Sequence, residues 1–341
     1  MASSRLKAAL LLGLGLALLA AMVLWVGPSK VLLALSRASP VYLALALAAY
    51  ATFFVLRGWR WKTLFAQSAP EVRMRSTTGI TAVGWLANSI LPLKGGDVLR
   101  AALLAKKEKV GLGPAASTVA LERVLDMLGL AIVAAVGLLL VPDDGALPRG
   151  IARALEIAWI LPIAGLVILA VLVVMRDRVI ALATRTVGQW GPFGVRLVEY
   201  LATTLAGLAA LAKRPRLLLA LVPQSVVVAI AQAAVFAFLV EAFLPGTPLL
   251  LAFGGASLFL LSFVVSITPG NVGTYEAAFV AVYAALGLPT ALVVPAAILT
   301  HLTTTMIVAL LGSLGLLSLG VGSKGFSWLP ARLSRPRSET P

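Results

Sequence analysis

Long apolar runs alternate along the chain with short stretches rich in Lys, Arg, Gly and Pro. Runs at roughly 8–26, 41–56, 115–141, 154–175, 217–243 and 290–319 predict helices that cross about 30 Å of hydrocarbon, or most of it, at about 1.5 Å per residue. Two further apolar pieces, about 76–105 and 249–287, are each interrupted by the same kind of octapeptide. The first is Ser89-Ile90-Leu91-Pro92-Leu93-Lys94-Gly95-Gly96, and the second is Ser266-Ile267-Thr268-Pro269-Gly270-Asn271-Val272-Gly273. Ser, Ile, Pro and Gly recur at the same spacing. Pro and Gly break helices, and broken backbone at membrane depth must be lined by protein or water. A break repeated in both halves of a membrane protein points to a central binding site. Alternating strands of about ten residues, the mark of a β-barrel, are absent.

The charges give these elements a direction. With the N-terminus cytoplasmic, the loop 57–75 lies inside with Arg57, Arg60, Lys62, Arg73 and Arg75, as does the segment with Lys106, Lys107 and Lys109. The piece between them must dip in and return, with Pro92, Gly95 and Gly96 at its tip. The loop 142–153 falls outside. The basic segment 176–216 falls inside, where 193–212 is expected as an amphipathic helix on the inner surface. For the basic tail 324–341, expected to be disordered, to lie inside as well, 249–287 becomes a second hairpin entering from outside, with Pro269, Gly270 and Gly273 at its tip. Two short full spans there would leave the tail on the same side. The expected fold is an all-α polytopic membrane protein with about six full spans and two re-entrant helical hairpins. It forms one transmembrane domain, 1–323, of inverted halves at about 1–145 and 150–323, as in many secondary transporters.

Composition agrees. The 341 residues are 60% hydrophobic and 12% charged, against about 25% charged in soluble proteins, and mean hydropathy is +1.02. The net charge of +15 is spread over inter-span loops, where attraction to anionic lipid accounts for it, and no nucleic-acid partner is expected. With no cysteine and one histidine, disulfides, thiolate metal sites and histidine-rich centres are excluded, and no metal or cofactor is expected. Arg5 and Lys7 precede an apolar run like that of a signal peptide, but no cleavage site stands out and the run reads as a retained first helix. No Walker loop or nucleophile elbow appears.

Candidate chemistry lies inside the apolar stretches. Glu122, Arg123 and Asp126 occupy the third span. Glu122 and Asp126 share a helix face, and Arg123 and Asp126 are spaced to pair. Ionised groups at such depth normally face a bundle interior or a water-filled path, and the alternative is helix-to-helix pairing alone. At the first tip, Asp97 is placed to cap the returning helix, whose N-terminus attracts anions, with Arg100 one turn along and Lys94 at the tip. At the second, Thr274 is placed to cap, Asn271 offers a neutral hydrogen-bonding group, and Glu276 either caps, takes up a proton or pairs with Arg100 or Arg123. Asn88 is a candidate lining residue. His301 reads as a helix-to-helix hydrogen-bonding group, and Arg57-Gly58-Trp59-Arg60-Trp61 as an interfacial anchor of aromatics and cations.

The set Arg57-x-x-Arg60-Trp61, Asn88-x-x-Leu91-Pro92-x-Lys94-x-Gly96-Asp97-x-x-Arg100, Ala120-x-Glu122-Arg123-x-x-Asp126 and Pro269-Gly270-x-x-Gly273-x-x-Glu276-Ala277 resembles the flippase-like transmembrane region of lysylphosphatidylglycerol synthases, from about residue 10 to 320. The resemblance implies a lipid translocator. In the full-length synthases a soluble aminoacyl-transfer domain follows; this chain stops at Pro341, so lysyl transfer is not expected of it. The expectation is translocation of an anionic, phosphate-bearing lipid across the inner membrane, with both termini cytoplasmic. Arg100, Arg123, Lys94, Asn88 and Asn271 would bind the head group, and Asp97, Glu122, Asp126 and Glu276 would balance charge or couple a proton. The alternatives are a membrane-embedded lipid-phosphate or aminoacyl transferase and an accessory subunit of a lipid-modifying system. Such a reading leaves room for a lipid-modifying enzyme partner and for a homo-oligomer.

Overall fold

The computed structural model describes residues 24, 27–29, 36, 38–66, 68–91, 94–140, 149–262 and 268–319. Apart from Leu24, the expected first span lies outside these residues, as do Pro92 and the tail 324–341. Every regular element among the described residues is helical.

Helix α1, Pro40–Phe65, opens on a proline at its first turn, where a missing N–H costs nothing. Its buried positions Ala46, Tyr50, Phe53, Phe54, Arg57, Trp61 and Leu64 recur every three or four residues and form one inward stripe. The helix runs past its expected end at residue 56, so Arg57 and Arg60 are helical and buried. Helices α2, Met74–Asn88, and α3, Gly95–Glu108, are each about 22 Å long, too short to cross a bilayer. They lie antiparallel, tied by Arg73 to Glu108 (3.2 Å) at one end and by Asn88 to Asp97 (3.4 Å) at the other. At Gly96 a Cβ would lie 2.1 Å from the Gly84 carbonyl oxygen, so only glycine lets the two backbones touch there.

Helix α4, Leu112–Leu139, is long enough to span but carries Glu122, Arg123 and Asp126 in its middle. Helix α5, Arg149–Val174, is followed after Met175 by α6, Arg176–Thr186, and the axis bends there by 78°. A 3₁₀ turn, Val187–Gln189, leads to α7, Pro192–Ala212, and then to α8, Pro215–Phe243. The expected surface helix corresponds to α7, whose Leu205, Leu208 and Leu211 are buried. Close approaches of Gly113 to Thr203 and of Gly207 to Ser117 seat it on the first turns of α4. It is also apolar enough to pass as a span, so its polar face is weaker than the surrounding loop charge implies. Helices α9, Leu249–Ser262, and α10, Thr274–Ala285, form a second short antiparallel pair. The Tyr283 hydroxyl donates to the Ala252 carbonyl (3.1 Å) at one end, and Phe259 meets Tyr275 edge-on (4.8 Å) at the other. Helix α11, Thr290–Ser318, completes the fold.

Helix α8 lies antiparallel along α1, α4 packs between α8 and α9, and α11 lies on α2. Small residues sit at these crossings, as in other membrane bundles; Gly129 meets the Ser225 carbonyl and Gly137 meets Gly254. Two apolar clusters result. Tyr50, Phe53, Leu130, Ala134, Val228 and Phe236 belong to one. Trp61, Leu64, Ala115, Leu121, Leu125 and Leu221 belong to the other. Helices α1, α4 and α8 each pass from one cluster to the other, and each does so at polar residues: Arg57 and Arg60, Glu122 to Asp126, and Ser225. A charged layer therefore lies between two greasy ones. Helices α1, α7, α8 and α11 are long and apolar enough to cross a bilayer, and the bent α5–α6 pair makes a fifth. The protein is a multi-pass, all-helical membrane protein.

Candidate functional site

The charged layer is held by ion pairs between α1, α3 and α4. Arg57 Nη2 and Arg60 Nη2 each reach one oxygen of Asp126 at 2.5 Å. Arg60 also donates to Ser225 Oγ (3.0 Å) and approaches Glu122 Oε1 (3.4 Å). Arg100 Nη2 lies 2.8 Å from Glu122 Oε2, an ion pair whose angle is too bent for a hydrogen bond. Arg123 grips Asp97 with two nitrogens, Nε donating to Oδ2 at 2.7 Å and Nη2 to Oδ1, and lies 3.9 Å from Asp126. The four-residue spacing of Glu122 and Asp126 turns both toward α1, while Arg123 points to the start of α3. Aromatic rings take up the remaining guanidinium faces. Arg57 and Arg123 stand over Trp85 at 4.5 and 5.4 Å, and Arg100 over Trp61 at 4.9 Å. Arg57 Nε and Nη1 have no hydrogen-bond partner among the described residues, so cation–π contact is what they gain. Four arginines face three carboxylates, a surplus of one positive charge. Uncompensated charge is costly in a dry interior.

That layer borders a cavity of about 190 Å³ between the ends of the two short helix pairs. Asn88, Ser89 and Lys94 line it from the first pair, and Gly270, Asn271 and Val272 from the second. Arg123 and Asp126 form its charged wall. Trp85, Leu86, Met127, Phe236 and Phe259 are apolar lining, and Gln232, His301, Thr304 and Thr305 are the polar groups of the opposite side. On the wall itself Lys94 and Arg123 face the one carboxylate of Asp126. Lys94 (φ 55°) and Asn271 (φ 61°) occupy the same place in the repeated octapeptide, and both adopt the left-handed conformation. For non-glycine residues this costs roughly 1–3 kcal/mol and is normally kept at functional sites.

The sequence readings fare unevenly. Arg123, Lys94, Asn88, Asn271 and Asp126 meet at the cavity. Arg100 and Glu122 do not: both are fully buried and spent on each other and on Arg60. Asp97 caps nothing, since Lys94 is the N-cap of α3 and no side chain caps it; its oxygens are drawn to Arg123, Arg100 and Asn88. Gly95 and Gly96 are the first residues of α3 rather than the turn. Glu276 meets neither Arg100 nor Arg123. One of its oxygens accepts the Gly273 N–H (2.7 Å), the expected capping role, and the other lies 2.6 Å from His301 Nδ1. Thr274 is not the cap, because Gly273 (φ 82°) takes that place, and the Thr274 hydroxyl donates to the Asn271 carbonyl (3.0 Å). Pro269 opens the 3₁₀ turn Pro269–Asn271. Arg57 and Arg60 are not an interfacial anchor; both are fully buried, and only Trp59 of that stretch remains well exposed. Two carboxylates in an apolar helix need cations from elsewhere, and two arginines on one face of α1 were the available supply. Trp85, Gln232, Thr304 and Thr305 carry no comparable signal. Among the described residues no three His, Asp or Glu side chains converge as metal ligands.

Comparison with known proteins follows this geometry. A 31% identical stretch of 123 residues, 35% of this chain, aligns with the glycosyltransferase AglD of Haloferax volcanii and covers 20% of that protein. A UPF0104 membrane protein of Methanothermobacter thermautotrophicus is 31% identical over 142 residues, 40% of this chain and 42% of the relative. A UPF0104 membrane protein of Methanocaldococcus jannaschii is 30% identical over 122 residues, 35% and 36% of the two chains. The alignments thus span well under half the length of these relatives. No solved structure matches. Residues 10–312 match the family described as the lysylphosphatidylglycerol synthase TM region, and the chain belongs to that family.

Proposed function

We propose that this protein moves an anionic, phosphate-bearing lipid between the leaflets of a bacterial or archaeal inner membrane. The carrying observation is the cavity between two helix-hairpin ends, with Arg123 and Lys94 on its wall and a cation surplus behind them. A head group of one or two negative charges would neutralise that surplus, while its acyl chains stay in lipid. Rigid guanidinium planes suit phosphate oxygens, and aromatic and aliphatic lining suits the glycerol or chain segment that follows.

The same reading takes α2–α3 and α9–α10 as re-entrant hairpins in an inverted repeat with about six full spans and cytoplasmic termini. Their equal shortness and the matched left-handed residues at Lys94 and Asn271 support it. Because the chain has no native cysteine, single cysteines report topology directly. Arg75→Cys and Lys109→Cys are expected to react with an impermeant maleimide only from the inner face, and Pro245→Cys and Thr290→Cys only from the outer. Opposite-face labelling within either pair would rule out the re-entrant hairpins.

Function is tested with purified protein in vesicles carrying head-group-accessible fluorescent lipids. Fluorescent phosphatidylglycerol is expected to exchange leaflets faster than in protein-free vesicles, and faster than phosphatidylcholine. Equal rates for both lipids would refute anionic selectivity. The glycosyltransferase name of AglD favours a second reading, a transferase. It would need a free carboxylate at the cavity, but Asp126 and Asp97 are engaged by arginine and Glu276 by Gly273 and His301. Chemically unchanged lipid after incubation supports the transport reading over that one.

A further inference from the structure

The only histidine of the chain lines the cavity opposite the arginines. His301 Nδ1 lies 2.6 Å from Glu276 Oε1, the other Glu276 oxygen holds the Gly273 amide, and the imidazole stacks on Tyr275 at 4.1 Å and 11°. Glu276 thus fixes the ring and the tip of the second hairpin together. Resting on the transport reading above, we infer that His301 is a proton-binding site of the transport cavity, which takes up one proton as the anionic head group enters.

Six titratable or charged groups share the space: Tyr275 and Glu276 from α10, Lys94 from the first tip, Arg123 and Asp126 from α4, and Tyr50 from α1. Helices α2 and α8 add no titratable group to the cavity wall, only neutral ones such as Asn88 and Gln232. The Glu276 carboxylate beside the ring attracts a second proton, and the cations across the cavity at Arg123 and Lys94 oppose it; in the inferred cycle the imidazole is neutral while the cavity is empty. In that state Nδ1–H donates to the Glu276 carboxylate, which leaves Nε2 as the basic nitrogen of a ring that lines the cavity. An entering phosphate reverses the local field. The proton comes from solvent and binds Nε2, which becomes a donor into the cavity, while Glu276 stays ionised beside the N-terminus of α10. By linkage, protonation raises affinity for the anion by the factor with which the anion raises affinity for the proton.

A single histidine gives a single imidazole signal, which makes the test direct. Ring-¹⁵N-labelled protein in phosphatidylcholine vesicles, with and without phosphatidylglycerol, is titrated at high salt to screen surface potential. At a pH near neutrality the protonated fraction is expected to rise when phosphatidylglycerol is present. Phosphatidylglycerol exchange is expected to speed up about tenfold between about pH 8 and pH 6 in the wild type, and to lose that slope in His301→Gln, whose amide still donates to Glu276. An identical titration in both lipids, or an unchanged pH slope in His301→Gln, overturns the inference while leaving transport intact. Absence of phosphatidylglycerol exchange at every pH defeats the transport reading itself.

Discussion

Arg123→Ala is expected to reduce exchange of fluorescent phosphatidylglycerol at least about 30-fold, with the protein still folded. Truncating one side of a desolvated, charge-assisted contact costs roughly 2–5 kcal/mol, and each 1.4 kcal/mol is about tenfold. Two effects add here. The cavity loses its guanidinium, and Asp97, released from the bidentate grip of Arg123, turns from a masked anion into a repulsive one. Arg123→Lys keeps the charge but not the planar pair of donors, and an intermediate rate is expected. The Arg123 side chain is 29% exposed, so water solvates what remains and stability falls little. Wild-type exchange in Arg123→Ala vesicles, measured beside an unchanged melting profile in detergent, would remove the cavity as the head-group site.

Asp126→Ala is expected to act on the fold. Asp126 alone joins Arg57 and Arg60 at 2.5 Å, and both arginines are fully buried. Removing it strands two guanidiniums in the layer between the apolar clusters, with Ser225 and a longer contact to Glu122 left for Arg60. Breaking a buried pair from one side costs roughly 3–5 kcal/mol, a large part of the stability of an ordinary domain. The yield of folded protein and its melting temperature in detergent should drop sharply. Pairing the change with Arg57→Met is expected to recover part of the loss, because replacing both members of a buried pair by apolar groups is often neutral. A double variant no more stable than Asp126→Ala would show that Arg57 does not depend on this carboxylate.

Much of the fold was legible because a helix crossing lipid must be apolar along its length. Helices α4, α5, α8 and α11 begin and end within a few residues of the expected runs, and so do both short pairs. The failures share one physical origin. Hydropathy reads each residue against lipid or water, but Arg57 and Arg60 see neither; they see Asp126. A neutralised cation therefore looked like the end of a span although the helix runs on through it to Phe65. Arg100 failed the other way. It sits one turn after the tip, as expected, but that turn faces Glu122 rather than the cavity, and only the packing of α3 on α4 decides this. The octapeptide repeat located the cavity, whereas the left-handed backbone at Lys94 and Asn271 was hidden because neither residue is glycine.

The matched backbones at those two positions carry unmatched side chains, a cation on one arm and a carboxamide on the other. If the cavity takes an anionic lipid as proposed, one arriving from the arginine side would meet attraction at the threshold, and one arriving from the threonine side would meet only dipoles until it had gone further in. Without an energy source this lopsided field sets no net direction, since forward and reverse fluxes still cancel at equal chemical potential. In the proposed transporter the two entrances would fill at different lipid densities, and exchange would saturate unequally from the two faces.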